Sequence, residues 1–308
     1  MSGIDKKTII QNRKPIKKKE RKFSLLDLFI HIILGCFALL CILPMWALLS
    51  ASFSSEKETI QTGFRLIPKQ IELTGWKYVL EDISTIIGAY RVTFFVSIIG
   101  TTFSLLIVSG IAYTISRRDF KYKNRLSFYV FFTMLFNGGL VPWYILINNY
   151  LHLGDNILAL ILPYLTNAWF ILLLRTFFQK IPFEIIESCY IDGANEFSIF
   201  FRFILPLSKP GLATIGLFTM LQYWNDWWLG LLFINNNKLY PLQLMLYKMM
   251  GNIRYLSSGS HAIIGLQNIP QQSAQMAIAI LAAGPMLLVF PFFQKYFIRG
   301  ITVGAIKG

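Results

Sequence analysis

The sequence has few charged residues, and acidic residues are especially scarce. Only 14% of its 308 residues are charged, 15 being acidic and 29 basic, whereas 55% are hydrophobic. The mean hydropathy is positive. A soluble domain of this length needs more polar surface than this composition supplies. The composition therefore excludes an ordinary soluble globular protein and predicts a polytopic membrane protein.

Residue types that carry metal or catalytic chemistry are also few. The three cysteines, Cys36, Cys41 and Cys189, lack metal-ligand spacing and two of them fall in the first apolar run, so we expect neither a disulfide nor a zinc site. The three histidines have no serine or acid placed to complete a catalytic pair, which argues against an intramembrane enzyme. The chain also lacks a GxxxxGK[ST] phosphate-binding motif. We expect no metal, no cofactor bound by this chain and no ATP hydrolysis by it.

Apolar runs long enough to cross a membrane occur six times. A helical span takes roughly 20 mostly apolar residues, because unpaired backbone groups cannot face lipid. The predicted membrane helices lie near residues 28–49, 93–114, 126–147, 157–177, 212–234 and 277–297. The first run is about as long as a full span and lacks an obvious small-residue cleavage site, so we interpret it as a retained anchor.

The net charge of +14 is concentrated outside these runs. Nine basic residues precede the first helix, five lie in RRDFKYKNR between helices two and three, and three lie at the C-terminal end. Because cytoplasmic segments of membrane proteins are enriched in Lys and Arg, both termini are predicted to be cytoplasmic. We interpret the charge mainly as a topology signal, with contact to anionic lipid or a partner as the alternative, and not as a nucleic-acid site.

The predicted helices and loops define the organisation of the chain. We expect a basic cytoplasmic tail at 1–27, a first transmembrane helix at 28–50, an extracellular segment at 51–87, a domain with helices two to six at 88–298, and a cytoplasmic tail at 299–308. Two connections within that domain are long, a cytoplasmic loop at 179–210 and an outside segment at 235–274. Long ordered loops among short ones often carry function.

The cytoplasmic loop at 179–210 differs from the other cytoplasmic segments because its acidic and basic residues balance. Pro182 can open a helix, and Asp192 with Gly193 supplies a natural C-terminal stop. Asn195 can then cap a second short helix. The pattern predicts a helix, a turn and a second helix.

An apolar stripe follows the turn. Its members fall at helical spacing: Phe197, Phe200, Phe201 and Ile204. An amphipathic helix lying on the membrane surface explains the stripe, but such helices are usually rich in Lys and Arg on the polar face. A helix–turn–helix that presents carboxylates and aromatic side chains to a soluble protein fits better.

The loop resembles the cytoplasmic EAA loop of ABC importer permeases. That motif reads Glu-Ala-Ala, three residues, Gly, nine residues, and then Ile-x-Leu-Pro. Four residues match it in register: Glu187, Gly193, Leu205 and Pro206. Small residues replace the two alanines, and a phenylalanine replaces the isoleucine.

The resemblance extends from about residue 20 to the end of the chain. FNGGLVPWYILINNYLHLGDNILALILP, LPLSKPGLATI and FPFFQKYFIRGITVGAIKG look like carbohydrate importer permeases of the maltose-transporter type, closest to the complex-oligosaccharide branch. The resemblance implies an all-α protein with six transmembrane helices and the type I ABC importer permease fold. It also implies a multi-pass protein of the plasma membrane.

In that family the loop at 179–210 is a coupling loop, whose coupling helix, here near 194–204, docks in a groove of the ATPase. The residues that the resemblance assigns to ATPase coupling are Glu187, Asp192, Gly193, Ala194, Phe197, Phe200, Phe201 and Pro206. The implied partners are a second permease subunit, a cytoplasmic ATPase dimer that holds ATP and Mg, an extracellular solute-binding protein, the carbohydrate and the lipid bilayer. Glu187 and Asp192 are expected to orient the turn through backbone amides or basic partners.

Polar residues inside a predicted span are costly and tend to face a cavity or a partner. Helix five has the richest set, in LQYWNDWWLG, where amides, a carboxylate and indoles suit the hydroxyls and C–H faces of a sugar. The candidate path residues are Gln222, Trp224, Asn225, Asp226 and Trp228, with Asn137 and Asn167 in helices three and four. Interhelical hydrogen bonds and an interfacial tryptophan belt are the alternative, and the partner permease can hold most of the sugar contacts.

The outside segment at 235–274 contains YPLQLMLYKMMGNI, with apolar residues at helical spacing. It is predicted to dock the sugar-binding protein, and a re-entrant or surface helix is the alternative.

Alternative functions for the whole chain are a permease for amino acids, peptides or phosphate, and an autonomous secondary transporter. The latter needs ionisable residues at mid-membrane, and only Asp226 qualifies. We predict one of two permease subunits of an ATP-driven, binding-protein-dependent oligosaccharide importer, a transport protein and not an enzyme.

Overall fold

A computed structural model describes residues 25–63, 65–257 and 270–305. Most of the predicted basic tail at 1–27 and the stretch 258–269 of the outside segment lie outside the described residues. Of the predicted tail at 299–308, the backbone is described to residue 305. The chain forms two compact units, one ending at Ala47 and the other beginning at Leu48.

The described residues are helical and contain no β-strand. The helices before the coupling loop are α1 (Leu25–Ser52), α2 (Glu56–Thr62), α3 (Thr74–Val79), α4 (Ile83–Ser116), α5 (Lys123–Leu135), α6 (Leu140–Ile145), α7 (Leu158–Ile161) and α8 (Ala168–Phe178). The later helices are α9 (Phe183–Ile191), α10 (Glu196–Ile199), α11 (Leu205–Leu207), α12 (Lys209–Trp224), α13 (Trp228–Phe233), α14 (Leu242–Ser257) and α15 (Gln271–Ala305). A π-helical turn at Leu146–Tyr150 extends α6, and another at Phe200–Ile204 joins α10 to α11.

Three helices are long and apolar enough to cross a membrane: α1, α4 and the Gln271–Val289 part of α15. Three pairs of shorter helices meet the same requirement together. Their bends are 109° for Lys123–Leu135 with Leu140–Tyr150, 50° for Leu158–Tyr164 with Ala168–Phe178, and 82° for Glu196–Leu207 with Lys209–Trp224. If each pair is one span, the described residues hold up to six spans by length and composition, the number predicted from the sequence.

Helices three and four are each two helices joined by a bend, and the predicted bounds of helices two and five are also wrong. Helix two begins at Ile83 and not near residue 93, because the Asp82 carboxylate accepts the Thr85 N–H at 3.2 Å and caps it. Helix five does not run through 212–234: α12 ends at Trp224, and a separate short helix follows a three-residue break. Hydropathy identifies apolar stretches, but it does not show where a polar side chain within such a stretch caps a new helix.

The helix α4 contributes to all three hydrophobic clusters of the unit that begins at Leu48. Its Ile86, Val96 and Val108 each belong to a different cluster. Near its middle α4 closely approaches α12, since a Cβ at Gly100 would lie 2.5 Å from Cζ of Tyr223. The Tyr223 hydroxyl in turn donates to the Ile161 carbonyl oxygen at 2.8 Å.

One of these clusters fixes the coupling loop. It joins α4, α8 and the loop helices through fully buried side chains, including Ile115, Leu174 and Ile199. Burial of large aliphatic side chains contributes about 1.5–3 kcal/mol each. The loop helices are therefore packed onto the ends of α4 and α8.

Candidate functional site

A glycine turn joins the two helices of the coupling loop. Gly193 has φ +78°, a left-handed conformation that side-chain-bearing residues adopt only with strain. The Gly193 N–H donates to the Tyr190 carbonyl at 2.9 Å, and the Ala194 N–H donates to the Cys189 carbonyl at 2.9 Å. These two bonds form a Schellman motif, with Asp192 as the C-cap of α9. The predicted stop at Asp192 and Gly193 is confirmed.

The second helix of the loop begins where the sequence predicted a cap. The Asn195 side-chain oxygen accepts the Ser198 N–H at 2.8 Å. The helical stretch then runs from Glu196 to Leu207, through the π-helical turn, before an 82° bend into α12. The segment predicted as the coupling helix is helical over Glu196–Leu207 and not over 194–204, because Ala194 and Asn195 belong to the turn and its cap.

The apolar stripe of the coupling helix is divided between a buried and an exposed part. Phe200 and Ile204 are 9% and 1% exposed and belong to the cluster with α4 and α8. Phe197 and Phe201 are 77% and 50% exposed. Large exposed apolar side chains that project from a packed helix are available to contact lipid or a partner.

The remaining predicted coupling residues lie in the same loop. Glu187 and Asp192 are exposed, Ala194 packs against the buried cluster, and Pro206 is exposed in α11. Neither Glu187 nor Asp192 accepts a hydrogen bond through its side chain from another described residue. The expectation that these carboxylates orient the turn is not met within the chain, since the backbone bonds of the Schellman motif and the Asn195 cap hold it.

A buried arginine ties the coupling loop to the end of α4. Arg117 follows α4 directly, and its side chain is 6% exposed. Its Nε and Nη2 donate to the two carboxylate oxygens of Asp119 at 2.7 and 2.5 Å. Its Nη1 donates to Tyr113 Oη at 2.7 Å, and its Nη2 donates to Tyr190 Oη at 2.8 Å. Nη1 also lies 3.3 Å from Glu196 Oε2, and both tyrosine hydroxyls donate to the Glu196 carboxylate.

The electrostatics of this network favour its charged groups. The Arg117 hydrogen bonds hold the pKa of Asp119 below its ordinary value. The same interaction with Asp119 raises the pKa of Arg117. Burial, followed by the hydrogen bond to Glu196, raises the pKa of Tyr190. Arg117 and the Asp119 carboxylate are therefore charged at neutral pH, while the Tyr190 hydroxyl remains protonated and donates.

Sequence reasoning missed this network. RRDFKYKNR was interpreted only as a topology signal, whereas its first arginine and its aspartate form the centre of the network. An acid two residues after an arginine at a predicted helix end was the available signal. The contributions of Tyr190 and Glu196 depend on the tertiary fold.

Two of the candidate path residues accept backbone N–H groups at helix breaks, and one of them, Asn167, caps a helix. The Asn137 side-chain oxygen accepts the Gly139 N–H at 2.8 Å between α5 and α6. The Asn167 side-chain oxygen accepts the N–H groups of Trp169 and Phe170 at 2.9 and 3.3 Å, capping α8. Both asparagines thus lie at the bends of broken helices.

Asp226 also accepts a backbone N–H at a helix break. Its carboxylate accepts the Leu229 N–H at 3.2 Å at the start of α13, and it accepts the Tyr164 hydroxyl at 2.8 Å. The break that it caps separates Gln222 and Trp224 from Trp228, so the helical spacing assumed for these residues does not hold. Asp226 is half-buried and bonded within the chain.

The other helix-five candidates are dispersed. Trp224 is 1% exposed, and its Nε1 donates to the Ala282 carbonyl of α15 at 3.1 Å, so it packs between helices. Gln222 is half-buried. Asn225 is exposed, and its side-chain oxygen accepts a bond from Gln243 Nε2 at 3.5 Å. Trp228 is 39% exposed.

An exposed aromatic cluster adjoins Asn225. Trp227 stacks on Tyr247 of α14, with ring centroids 4.8 Å apart and planes at 23°. Trp228 meets Trp227 edge-on at 5.6 Å. Tyr247 was missed because it lies 20 positions along the chain from Trp227 and only the fold joins them. We call Trp227, Trp228 and Tyr247 the aromatic cluster; with the amides of Asn225 and Gln243 it has the residue types that bind sugars.

Known proteins resemble this chain along nearly its whole length, although no protein-family model matches it. It is 38% identical over 294 residues to the polygalacturonan/rhamnogalacturonan transport system permease protein YtcP of Bacillus subtilis, covering 93% of this chain and 100% of that protein. It is 36% identical over 281 residues to protein LplC of the same organism, covering 90% of this chain and 93% of LplC. A crystal structure of a bacterial ABC transporter involved in the import of the acidic polysaccharide alginate aligns with a TM-score of 0.76 and 29% identity, covering 92% of this chain and 100% of that chain.

These relatives confirm the predicted fold class and the assignment to transport and not to enzyme catalysis. Permeases of this family are integral to the membrane, and their importers combine a partner permease, an ATPase and a binding protein. The chain belongs to the family of permease subunits of sugar ABC importers.

Proposed function

We propose that the chain is one of two permease subunits of an oligosaccharide importer and that it receives the motion of a cytoplasmic ATPase through its coupling loop. This proposal rests on the apolar stripe of the coupling helix, which has one buried part and one exposed part. Phe200 and Ile204 anchor the helix to the membrane helices, while Phe197 and Phe201 project outward.

Phe197 and Phe201 are the proposed anchors in a groove of the ATPase. An amphipathic helix whose outer aromatic residues enter a hydrophobic groove is a recurrent mode of binding, and aromatic residues commonly carry most of the binding energy. The exposed carboxylates of Glu187 and Asp192 lie in the same loop. They are proposed to meet polar or basic groups of the ATPase at the rim of that groove.

Motion received by the coupling helix passes to the membrane helices by two proposed routes. The buried face of the helix packs on α4 and α8, and the Arg117 network links Glu196 to the end of α4. The helix α4 has 34 residues and is therefore about 51 Å long at 1.5 Å per residue. A rigid element of that length carries displacement from one side of a bilayer to the other.

The break between α5 and α6 supports a shared translocation path. The chain is exposed from residue 131 to residue 142, across Asn137, Gly138 and Gly139, and it bends there by 109°. Irregular backbone at membrane depth does not face lipid; it is covered by protein or lines a water-filled cavity. Broken helices often line transport sites. We infer that the second permease or the path itself covers this break.

The relatives' names point to oligosaccharides as the cargo. YtcP is named for polygalacturonan and rhamnogalacturonan transport, and the solved transporter imports alginate. The aromatic cluster with Asn225 and Gln243 is the proposed sugar contact of this chain. The amphipathic helix α14 and the segment that follows it are proposed to dock the extracellular binding protein.

The proposed membrane arrangement has six spans with both termini in the cytoplasm. Two of the bent helix pairs supply one span each, and α12 with the short α13 supplies another, because Glu196–Leu207 is assigned to the cytoplasmic loop. The concentration of basic residues at the termini and in RRDFKYKNR supplies the orientation. ATP and Mg belong to the ATPase in this proposal, since the chain has no phosphate-binding motif.

Co-purification with matched variants tests the coupling assignment. The tagged chain, expressed with its genomic neighbours, is solubilised gently as wild type, as Phe197→Ala/Phe201→Ala, and as the control Phe128→Ala/Tyr129→Ala. The control residues lie on α5 and are 66% and 65% exposed. We expect a second permease in all three preparations and loss of the ATPase only from the coupling-helix variant.

Uptake in liposomes then tests the cargo. Oligogalacturonides, alginate oligomers and short peptides are supplied as radiolabelled solutes to the reconstituted importer. Oligosaccharide uptake that requires ATP and the binding protein is expected. Retention of the ATPase by the Phe197→Ala/Phe201→Ala variant would overturn the coupling assignment. Transport of peptides alone would overturn the assignment of oligosaccharides as the cargo.

A further inference from the structure

A basic pocket lies between the end of α4, the end of α8 and the coupling loop. It has a volume of about 280 Å³. Four cationic side chains line it: Arg117, Arg118, Lys123 and Arg175. In the part of the chain that the structure describes, none of its lining residues is acidic. Arg117 is paired with Asp119 and Glu196, so the lining cations without an ion pair in the described residues are Arg118, Lys123 and Arg175.

The arginines of this pocket differ in how their hydrogen bonds are satisfied. Arg117 is saturated, because its three nitrogens donate to Asp119, Glu196 and two tyrosines. Arg175 is not, because its Nε is buried and has no hydrogen-bond partner among the described residues. A buried guanidinium nitrogen without a partner is costly. The missing partner of the Arg175 Nε is expected to be an acceptor from outside the described residues.

Helix polarity explains why cations lie here but does not supply that acceptor. Both α4 and α8 end at the pocket, at Ser116 and Phe178, and helix C-termini favour nearby positive charge. The only hydrogen bond of the Lys123 ammonium in the described chain goes to the Arg118 carbonyl oxygen at 2.9 Å. The Arg118 and Arg175 guanidiniums have no side-chain hydrogen bond to a described residue.

The remaining lining residues are suited to holding an anion against a low-dielectric wall. Phe183, Ile186 and Ile204 of the coupling loop form the apolar side of the pocket. Charge-assisted hydrogen bonds from a guanidinium to a phosphate strengthen when water is excluded. The planar guanidinium can also donate two parallel hydrogen bonds to one phosphate.

We propose that this pocket binds a phosphate-type anion, held by Arg118, Lys123 and Arg175. The anion is either the headgroup of an anionic phospholipid or free phosphate. Because the pocket touches α4, α8 and the coupling loop, the bound anion bridges the loop to the membrane helices. Placement of the pocket at the cytoplasmic leaflet rests on the proposed function, whereas the binding itself does not.

The test compares two double variants of the purified importer. Arg118→Gln/Arg175→Gln removes two charges from the pocket. Lys121→Gln/Arg125→Gln removes two from the same region, where both side chains lie over the Tyr122 ring and neither lines the pocket. Each complex is titrated in neutral detergent with short-chain phosphatidylglycerol, with phosphatidylcholine and with inorganic phosphate. The midpoint of thermal unfolding and lipid retained in native mass spectrometry are recorded.

We expect phosphatidylglycerol or phosphate to raise the unfolding midpoint of wild type and of the control variant, and phosphatidylcholine to have no such effect. The pocket variant should lose affinity by about fivefold for each removed charge. A response to phosphatidylglycerol alone identifies a lipid headgroup, and a response to inorganic phosphate identifies the free anion. If the pocket variant does not fold, Arg118→Gln, at an exposed residue, is compared with Lys121→Gln in the same titrations.

Equal responses of the pocket and control variants would overturn the proposal. It would also be overturned if the pocket variant lost the ATPase from the complex while its response to the anions was unchanged, because the arginines would then face the ATPase. Neither result depends on the cargo or on Phe197 and Phe201, so failure here is distinguishable from failure of the proposed function.

Discussion

Arg117 and Glu196 form an ion pair between the end of α4 and the first residue of α10, with Nη1 and Oε2 3.3 Å apart. The arginine side chain is 6% exposed and the glutamate side chain 54% exposed. The cation is therefore fixed in the protein, whereas the carboxylate belongs to the loop that is proposed to move. The pair joins a rigid membrane helix to the proposed receiver of the ATPase motion.

Glu196→Gln tests whether this pair transmits motion. The substitution removes the charge but keeps the shape, and a partly exposed pair contributes up to about 1 kcal/mol. We expect about fivefold fewer sugars transported per ATP hydrolysed, with the ATPase still bound. The matched control is Glu184→Gln, which neutralises an exposed carboxylate of α9 that has no described partner. An equal ratio of transport to hydrolysis in the two variants would contradict the assignment.

Gly193→Pro tests the turn between the two loop helices. Proline fixes φ near −65° and removes the N–H that donates to Tyr190, whereas Gly193 has φ +78°. We expect uptake to be abolished and membrane insertion to be retained. Gly193→Ala, which costs roughly 1–2 kcal/mol in the left-handed region, should give partial loss. Gly35→Ala in α1, where a Cβ meets open space, serves as control. Undiminished uptake by Gly193→Pro would exclude a role for this turn in coupling.

Gly100→Ala tests the close approach of α4 and α12. A Cβ there would lie 2.5 Å from the Tyr223 ring, and that tyrosine is buried and bonded to Ile161. Overpacking of this kind typically costs about 1–3 kcal/mol. The midpoint of thermal unfolding in detergent should fall. Gly88→Ala on the same helix meets no atom within 4 Å, and by helix propensity it should leave the midpoint unchanged or raise it. Equal midpoints for the two variants would refute the close packing of Gly100 against Tyr223.

Asp226→Asn separates a structural role from a sugar-binding one. Its carboxylate caps α13 and accepts the Tyr164 hydroxyl, so we expect lower stability, by about 0.5–2 kcal/mol. Preference among oligosaccharides should not change. Trp227→Ala in the aromatic cluster should instead weaken uptake of a preferred sugar with little effect on stability. A changed sugar preference in Asp226→Asn would instead indicate that Asp226 contacts the sugar in the translocation path.

The local parts of the coupling loop were predictable from the sequence. Pro182, Gly193 and Asn195 occupy the cap and turn positions that their residue types indicate, because each acts on backbone groups within a few residues. The family was likewise predictable, since its motif is a spacing along the chain. The all-α class followed from apolar runs of membrane-spanning length.

The path candidates show where this reasoning fails. A polar residue within an apolar run can face a cavity or cap a break, and the sequence does not distinguish these roles. Asn137, Asn167 and Asp226 all accept backbone N–H groups at helix breaks, and Trp224 is packed against α15. Hydropathy alone therefore predicted helix five as continuous where the chain has two helices.

The sequence by itself determined the helical class, the family, the helix caps and the glycine turn, because these depend on composition and on neighbours along the chain. Only the tertiary structure decided which half of the apolar stripe is buried, that Arg117 meets Tyr190 and Glu196, and that Trp227 stacks on Tyr247. It also decided that the Arg175 Nε is buried without a hydrogen-bond partner among the described residues. These relationships join residues from different helices. Their energies depend on packing and desolvation at close range, which arise only when the helices meet.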